Sequence, residues 1–212
     1  MALSKIDVAN MLTGTAPVAN GGTGVTTAAD LANTGNLVHI KTITLTSSTA
    51  GISFKDSDSD VTFDNTYNTY KFIGNVKQAT DDRVIYVRCS NDGTNFDTVS
   101  GRHLGDKILR NAGSLDGSSD QSSTVWVLDN KAGGTAAGEN YAFEITIYNS
   151  DLHYPRYLGL MQNARFVDNT GVISIISGRY NYDGKIKGLN FFPNSSSNFI
   201  ADSTISMYGV KS

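Results

Sequence analysis

An all-β fold is expected from this chain: an antiparallel two-sheet β-sandwich, jelly-roll-like, behind a short N-terminal segment. Three observations predict it. The apolar fraction is 39 % and the charged fraction 17 %, with Gly, Ser, Thr, Asn and Asp making up the difference. These residues build turns, and the apolar residues present are largely Ile, Val, Tyr and Phe, which suit strands. Short alternating runs recur between turn signals. No helical run is long enough for a βαβ crossover, so the strands must bury one another in two packed sheets.

Residues 2–12 could form a short helix with Leu3, Ile6, Met11 and Leu12 as its apolar residues. Alone it is too short to be stable, so it packs on another copy or a docking partner. Residues 13–27 form a glycine-rich joint around Asn20, Gly21, Gly22, Thr23 and Gly24. Glycine tolerates φ > 0 and close backbone approach, so the joint divides an attachment segment, 1–36, from a head, 37–212. Residues 26–33 read as a capped turn of helix ending by Gly35.

Strand signals begin at 38–46, where the alternation changes phase between Ile40 and Ile43, a sign of a bulge. Short runs at Ile52 to Phe54 and Val61 to Phe63 flank an acidic turn. Tyr70, Phe72 and Val76 mark the next strand. In residues 83–90, Ile85, Val87 and Cys89 share one face and Val84, Tyr86 and Arg88 the other. Asn91, Asp92, Gly93 and Thr94 supply a hairpin turn. Residues 100–123 are weakly patterned, with Leu104, Ile108 and Leu109 as anchors and 114–123 as an exposed loop. Strand signals resume at 125–128 and at 140–148, where Tyr141, Phe143, Ile145 and Ile147 face one way. Further runs lie near 156–163, 171–180, 186–192 and 203–210, for about ten strands in all.

Several function classes are disfavoured. The net charge is −3 with both signs scattered, and a nucleic-acid partner calls for a basic face. No run of 18 apolar residues offers a membrane span, and the first residues lack a signal-peptide pattern. The single cysteine, Cys89, is expected in the core, outside any intrachain disulfide framework. His39, His103 and His153 are far apart in sequence and in no metal-ligand spacing, so no metal is expected. Asp56, Asp58 and Asp60 begin like a calcium loop, but Val61 and Tyr67 stand where it needs glycine and glutamate. Gly22 and Gly24 begin a dinucleotide fingerprint that lacks its third glycine and preceding strand, so no cofactor is expected. There is no nucleophile elbow, and no enzymatic activity is expected.

Surface recognition remains. Sugar sites set aromatic faces against the apolar side of a ring, with Asn, Asp and Ser bonding its hydroxyls. Tyr180, Tyr182 and Asp183 form one such mixture, and Phe191, Phe192 and Asn194 a second. The 100–123 loop is a weaker third.

Residues 16–27, with their Pro17-Val18-Ala19-Asn20-Gly21-Gly22-Thr23-Gly24 core, resemble a segment common in bacteriophage tail fibres just before a distal domain. Ile186, Gly188 and Phe191, then Ile205, Met207, Tyr208, Gly209, Val210 and Lys211, resemble the closing pattern of tail-fibre and related virion proteins. Together these cover about a quarter of the chain. Met207 replaces the usual leucine, and the glycine motif lies close to the N-terminus, which favours a short fibre or spike. The resemblance implies a homotrimer, made in the host cytoplasm and carried on the virion. It implies virion attachment and trimer contact through Leu3, Ile6, Met11, Leu12, Gly21, Gly22 and Gly24. It also implies host-surface glycan binding by the head. The rival expectation is a purely structural virion protein, such as a capsid decoration or tail-junction component.

Overall fold

The chain folds as two antiparallel sheets, seen in a computed structural model that describes residues 36–63, 66–81, 83–111, 114–128, 135, 139–149, 154–165 and 170–211. The features expected within residues 1–35, including Leu3, Ile6, Met11, Leu12, Gly21, Gly22 and Gly24, lie outside the described residues, as does His153. The strands are β1 (Leu37–Thr44), β2 (Ile52–Lys55), β3 (Thr69–Val76), β4 (Ile85–Ser90), β5 (His103–Asn111) and β6 (Ser114–Ser123). They continue as β7 (Trp126–Val127), β8 (Tyr141–Tyr148), β9 (Arg156–Arg165), β10 (Thr170–Tyr180), β11 (Gly188–Pro193) and β12 (Thr204–Val210).

The larger sheet runs β1-β12-β3-β8-β9-β10-β5-β6 and the smaller β2-β11-β4-β7. Without β5, β6, β9 and β10, the order β1-β12-β3-β8 faces β2-β11-β4-β7. That is the strand order of a jelly roll, two Greek keys folded face to face. The hairpins β5–β6 and β9–β10 are insertions that widen one sheet only.

Alternation decides which face each strand buries. In β3, Tyr70, Phe72 and Val76 point inward, and in β8, Tyr141, Phe143, Ile145 and Ile147 do the same. Opposite them lie Ile52 and Phe54 of β2, Ile85, Val87 and Cys89 of β4, and Leu189 and Phe191 of β11. The two layers meet in a cluster of rings. Phe72 lies 5.5 Å from Phe191 and 5.4 Å from Phe54, and Phe143 stacks on Phe191 at 5.4 Å. Aromatic pairs at such separations add to the gain from burying their area.

The two segments that carry the C-terminal resemblance are interior strands of the two sheets. β12 lies between β1 and β3, and β11 lies between β2 and β4. Gly209 belongs there for a steric reason: a Cβ at that position would sit 2.3–2.5 Å from the Tyr67 ring. The expected bulge in β1 is present, between His39 and Lys41.

Several expectations need correction. Within residues 100–123, β5 and β6 pair antiparallel on the rim of the larger sheet. Ser114–Ser123 has almost no apolar alternation, so its pairing comes from the backbone ladder with β5. Within that stretch Leu104 is buried, but Ile108 is exposed. Residues 91–94 turn the chain without making a hairpin, because β4 belongs to one sheet and β5 to the other. Val61 and Phe63 are buried without forming a strand. Among the described residues there are twelve strands, against the ten or so expected.

Phe191→Ala should remove about 3–5 kcal/mol of stability by opening a cavity between the sheets. Gly209→Ala should cost about 1–3 kcal/mol through displacement of Tyr67. Urea unfolding with the two-state slope unchanged is the measurement.

Candidate functional site

The two sugar-binding mixtures do not come together. Residues 180–187 connect β10 to β11 beside the 91–102 loop, while Asn194 is at the other end of β11 beside Val84. Tyr180 and Phe191 must be corrected as receptor contacts: both are fully buried in the core. Asn194 spends its side-chain oxygen on the backbone N–H of Val84, at 3.2 Å. Asp183 is exposed, and Tyr182 and Phe192 are half-buried. The aspartates of the acidic turn are also engaged locally. Asp56 accepts from the Phe63 N–H, Asp58 from the Lys55 N–H, and Asp60 pairs with Lys41 at 2.6 Å.

At the β10–β11 end, polar groups knit the loops together. Asp92 accepts the backbone N–H groups of Thr94 and Asn95, each at 2.7 Å, and these hold its carboxyl well below the ordinary range. Asp97 accepts the Val99 N–H at 2.8 Å and the Tyr180 hydroxyl. Burial, reinforced by the bond to Asp97, raises the Tyr180 hydroxyl far above its usual pKa. Arg102 lies 3.9 Å from Asp97 and over the Tyr182 ring at 5.1 Å. Asn149 closes the same end, exchanging two hydrogen bonds with the Ile186 backbone.

His103 is buried under this network. Its Nε2 accepts the Cys89 backbone N–H at 3.0 Å, so the neutral ring carries its proton on Nδ1. Nδ1 has no acceptor among the described residues. Its ring packs against Trp126 and Tyr180. Burial lowers the His103 pKa to about 4, outweighing the pull of Asp97. The Cys89 thiol is pushed up by the same burial. The imidazole and the thiol thus sit uncharged in the core.

The outer face of the smaller sheet is different. Phe192 of β11 pairs with Tyr86 of β4, and Asn190 pairs with Arg88 on one side and Ser53 on the other. The Phe192 and Tyr86 rings meet edge to face at 5.8 Å. The Arg88 guanidinium lies 5.0 Å from the Phe192 ring centre, and its Nε donates to the Thr124 carbonyl at 3.4 Å. Gly51 lies at the end of this row. A Cβ there would sit 2.9 Å from the Asn190 side-chain oxygen and 3.1 Å from the Phe192 Cβ, so glycine leaves both residues room. Ser53, Tyr86, Arg88, Asn190 and Phe192 are all half-buried and all face outward. The platform offers an apolar ring face flanked by an amide, a guanidinium and a hydroxyl.

Of these, Phe192 was expected from sequence. The alternation puts Tyr86 and Arg88 on the face opposite Ile85, Val87 and Cys89, without a partner. Their signal was present in the alternation of β4, but the β4–β11 register that joins them to Phe192 is not readable from either segment alone.

Among the described residues, no group of three or more His, Cys, Asp or Glu side chains could hold a metal ion. Comparison with protein-family models, curated proteins and solved structures gave no match.

The lowered His103 pKa sets a pH dependence. Between pH 6.5 and about 4 the unfolded chain takes up a proton that the folded chain refuses. Its contribution is complete above pH 6.5 and falls away by about 3 kcal/mol as the pH drops to 4. Urea unfolding at a series of pH values should show this slope. His103→Gln, which can still accept from Cys89, should flatten it, and an unchanged slope in that variant would refute the assignment.

Proposed function

We propose that this chain is the receptor-binding subunit of a short bacteriophage fibre or spike. In this reading residues 1–36 attach it to the virion, and the β-sandwich head holds a host-surface polysaccharide. The observation that carries the binding half is the outward platform of Phe192, Tyr86, Arg88, Asn190 and Ser53. A pyranose sets its C–H face on an aromatic ring and its hydroxyls against neighbouring donors and acceptors. A shallow open face suits one or two residues of a long polymer. Each contact is weak, and several heads on one particle strengthen it. The process needs no bond to form or break.

The virion half rests on residues 16–27 and their likeness to tail-fibre segments. The closing segments support it less directly, because they supply interior strands of both sheets and so are tied to the fold. A purely structural virion component would share those strands without needing the platform.

The test is binding of the purified chain to an array of bacterial surface polysaccharides. Phe192→Ala and Tyr86→Ala should each weaken binding about tenfold or more, with little change in thermal stability. Gold-labelled antibody against residues 37–212 should mark fibre or tail tips on intact particles. Label over the capsid, together with no polysaccharide binding, would instead favour the structural reading.

A further inference from the structure

We propose that the outer face of β9, β10 and β5 is the contact surface for a second copy of this chain. Leu158 and Leu160 of β9, Ile173 and Ile175 of β10, and Ile108 of β5 are 45–56 % exposed. Register makes them one patch. Ile175 pairs with Leu160 on one side and with Ile108 on the other, and Leu158 pairs with Ser177. Five half-exposed aliphatic side chains present on the order of 400 Å² of apolar surface, the size of the largest patch on a typical monomer, which is often functional. A standard interface buries about 800 Å² per partner, a little over half of it apolar. The patch therefore supplies the apolar centre of one such interface.

The charges around it identify the occupant. Arg156 and Arg179 stand directly opposite each other at one end of β9 and β10, both exposed. Like charges so placed repel. Among the described residues no carboxylate forms an ion pair with either. Asp106 is exposed on β5, opposite Ser177, and likewise has no ion-pair partner among the described residues. The arginines and the aspartate thus flank the apolar patch on different strands. A twofold axis along β10 exchanges the β9 side with the β5 side. It sets Ile175 against the same residue of the second copy and Leu160 against Ile108. It also carries each Asp106 towards the other copy's Arg156. Two such sheets pack face to face about 10 Å apart with their strands nearly aligned.

Edge-to-edge pairing is the other way for two sheets to join, and the sequence opposes it. β1 is bulged between His39 and Lys41. β6 is rich in serine and contains Asp116 and Asp120. Charges and bulges at rim strands discourage added strands. The face contact is separate from whatever residues 1–36 join, and it does not depend on what the smaller sheet binds.

Sedimentation equilibrium on the full chain tests this. The Leu160→Asp, Ile175→Asp double variant should have half the assembly mass of the wild type, with an unchanged circular dichroism spectrum. A second pair of variants guards against misfolding. Asp106→Arg alone should raise the dissociation constant about tenfold or more, and adding Arg156→Asp should restore it. A monomeric wild type, an unchanged mass in the double aspartate variant, or no restoration by the charge swap would overturn the proposal.

Discussion

The ring contact between the sheets is the constraint on which the rest of the structure depends. Phe72 and Phe143 come from neighbouring strands of the larger sheet, Phe54 and Phe191 from neighbouring strands of the smaller. Phe54 and Phe72 come from consecutive strands, but Phe191 meets Phe72 and Phe143 from far along the chain, so the full cluster needs strands from both ends of the head. It also dictates a glycine: a Cβ on Gly74 would lie within the Phe143 ring's space, at 2.3 Å. The pair Gly74 and Phe143 sit directly opposite across β3 and β8, and the ring occupies the room that glycine leaves. β11 and β12 each lie between two other strands, β12 between β1 and β3 and β11 between β2 and β4, so both layers depend on residues 188–210.

The insertions alter the surface rather than the core. A sandwich with equal sheets covers each inner face with the other. Here one sheet has eight strands and the other four. Tyr157 and Ile176 of the added strands still find cover, with Tyr157 packed on Trp126 at 4.2 Å. Trp126 is fixed in turn by its Nε1 donating to the Arg179 carbonyl at 3.2 Å. Leu158, Leu160, Ile173, Ile175 and Ile108 of β9, β10 and β5 face outward and find none, where solvent-facing strands normally carry polar residues. The same alternation that builds the core therefore leaves an unpartnered apolar surface, on the sheet opposite the aromatic platform.

Much of the fold was legible because its strands alternate. β4 and β8 read correctly down to the face of each residue, and the bulge of β1 appeared as a phase change. β5 and β6 did not read as strands, since their ladder is made by backbone groups and β6 is mostly Ser, Asp and Gly. The candidate site was half legible for a different reason. Phe191 and Phe192 are adjacent, and a strand sends adjacent side chains to opposite faces. Composition flags both; only the register tells which one meets solvent. Tyr180 misled in the same way. Its ring is core, while its hydroxyl reaches the Asp97 carboxylate, and a tyrosine of that kind has the same local sequence context as one on a binding loop.

That hydroxyl also bears on where recognition can occur. Jelly rolls can bind ligands with the loops at one end or with the faces of their sheets. At the β10–β11 end, Asp92, Asp97, Arg102, Asn149 and Tyr180 bond the loops to one another and to the core. Opening the end to a sugar would require breaking bonds to a buried tyrosine and to Asp97, which is itself largely buried. Freeing a buried polar group costs about 1–3 kcal/mol for each partner lost. On the smaller sheet, by contrast, Phe192 and Tyr86 need not move, and the Asn190 amide and Ser53 hydroxyl already face outward. Preorganised, half-exposed groups lose little freedom when a ligand arrives. The energetic argument therefore favours the sheet face over the loops, even though the loops carry the richer mixture of aromatic and polar residues in the sequence.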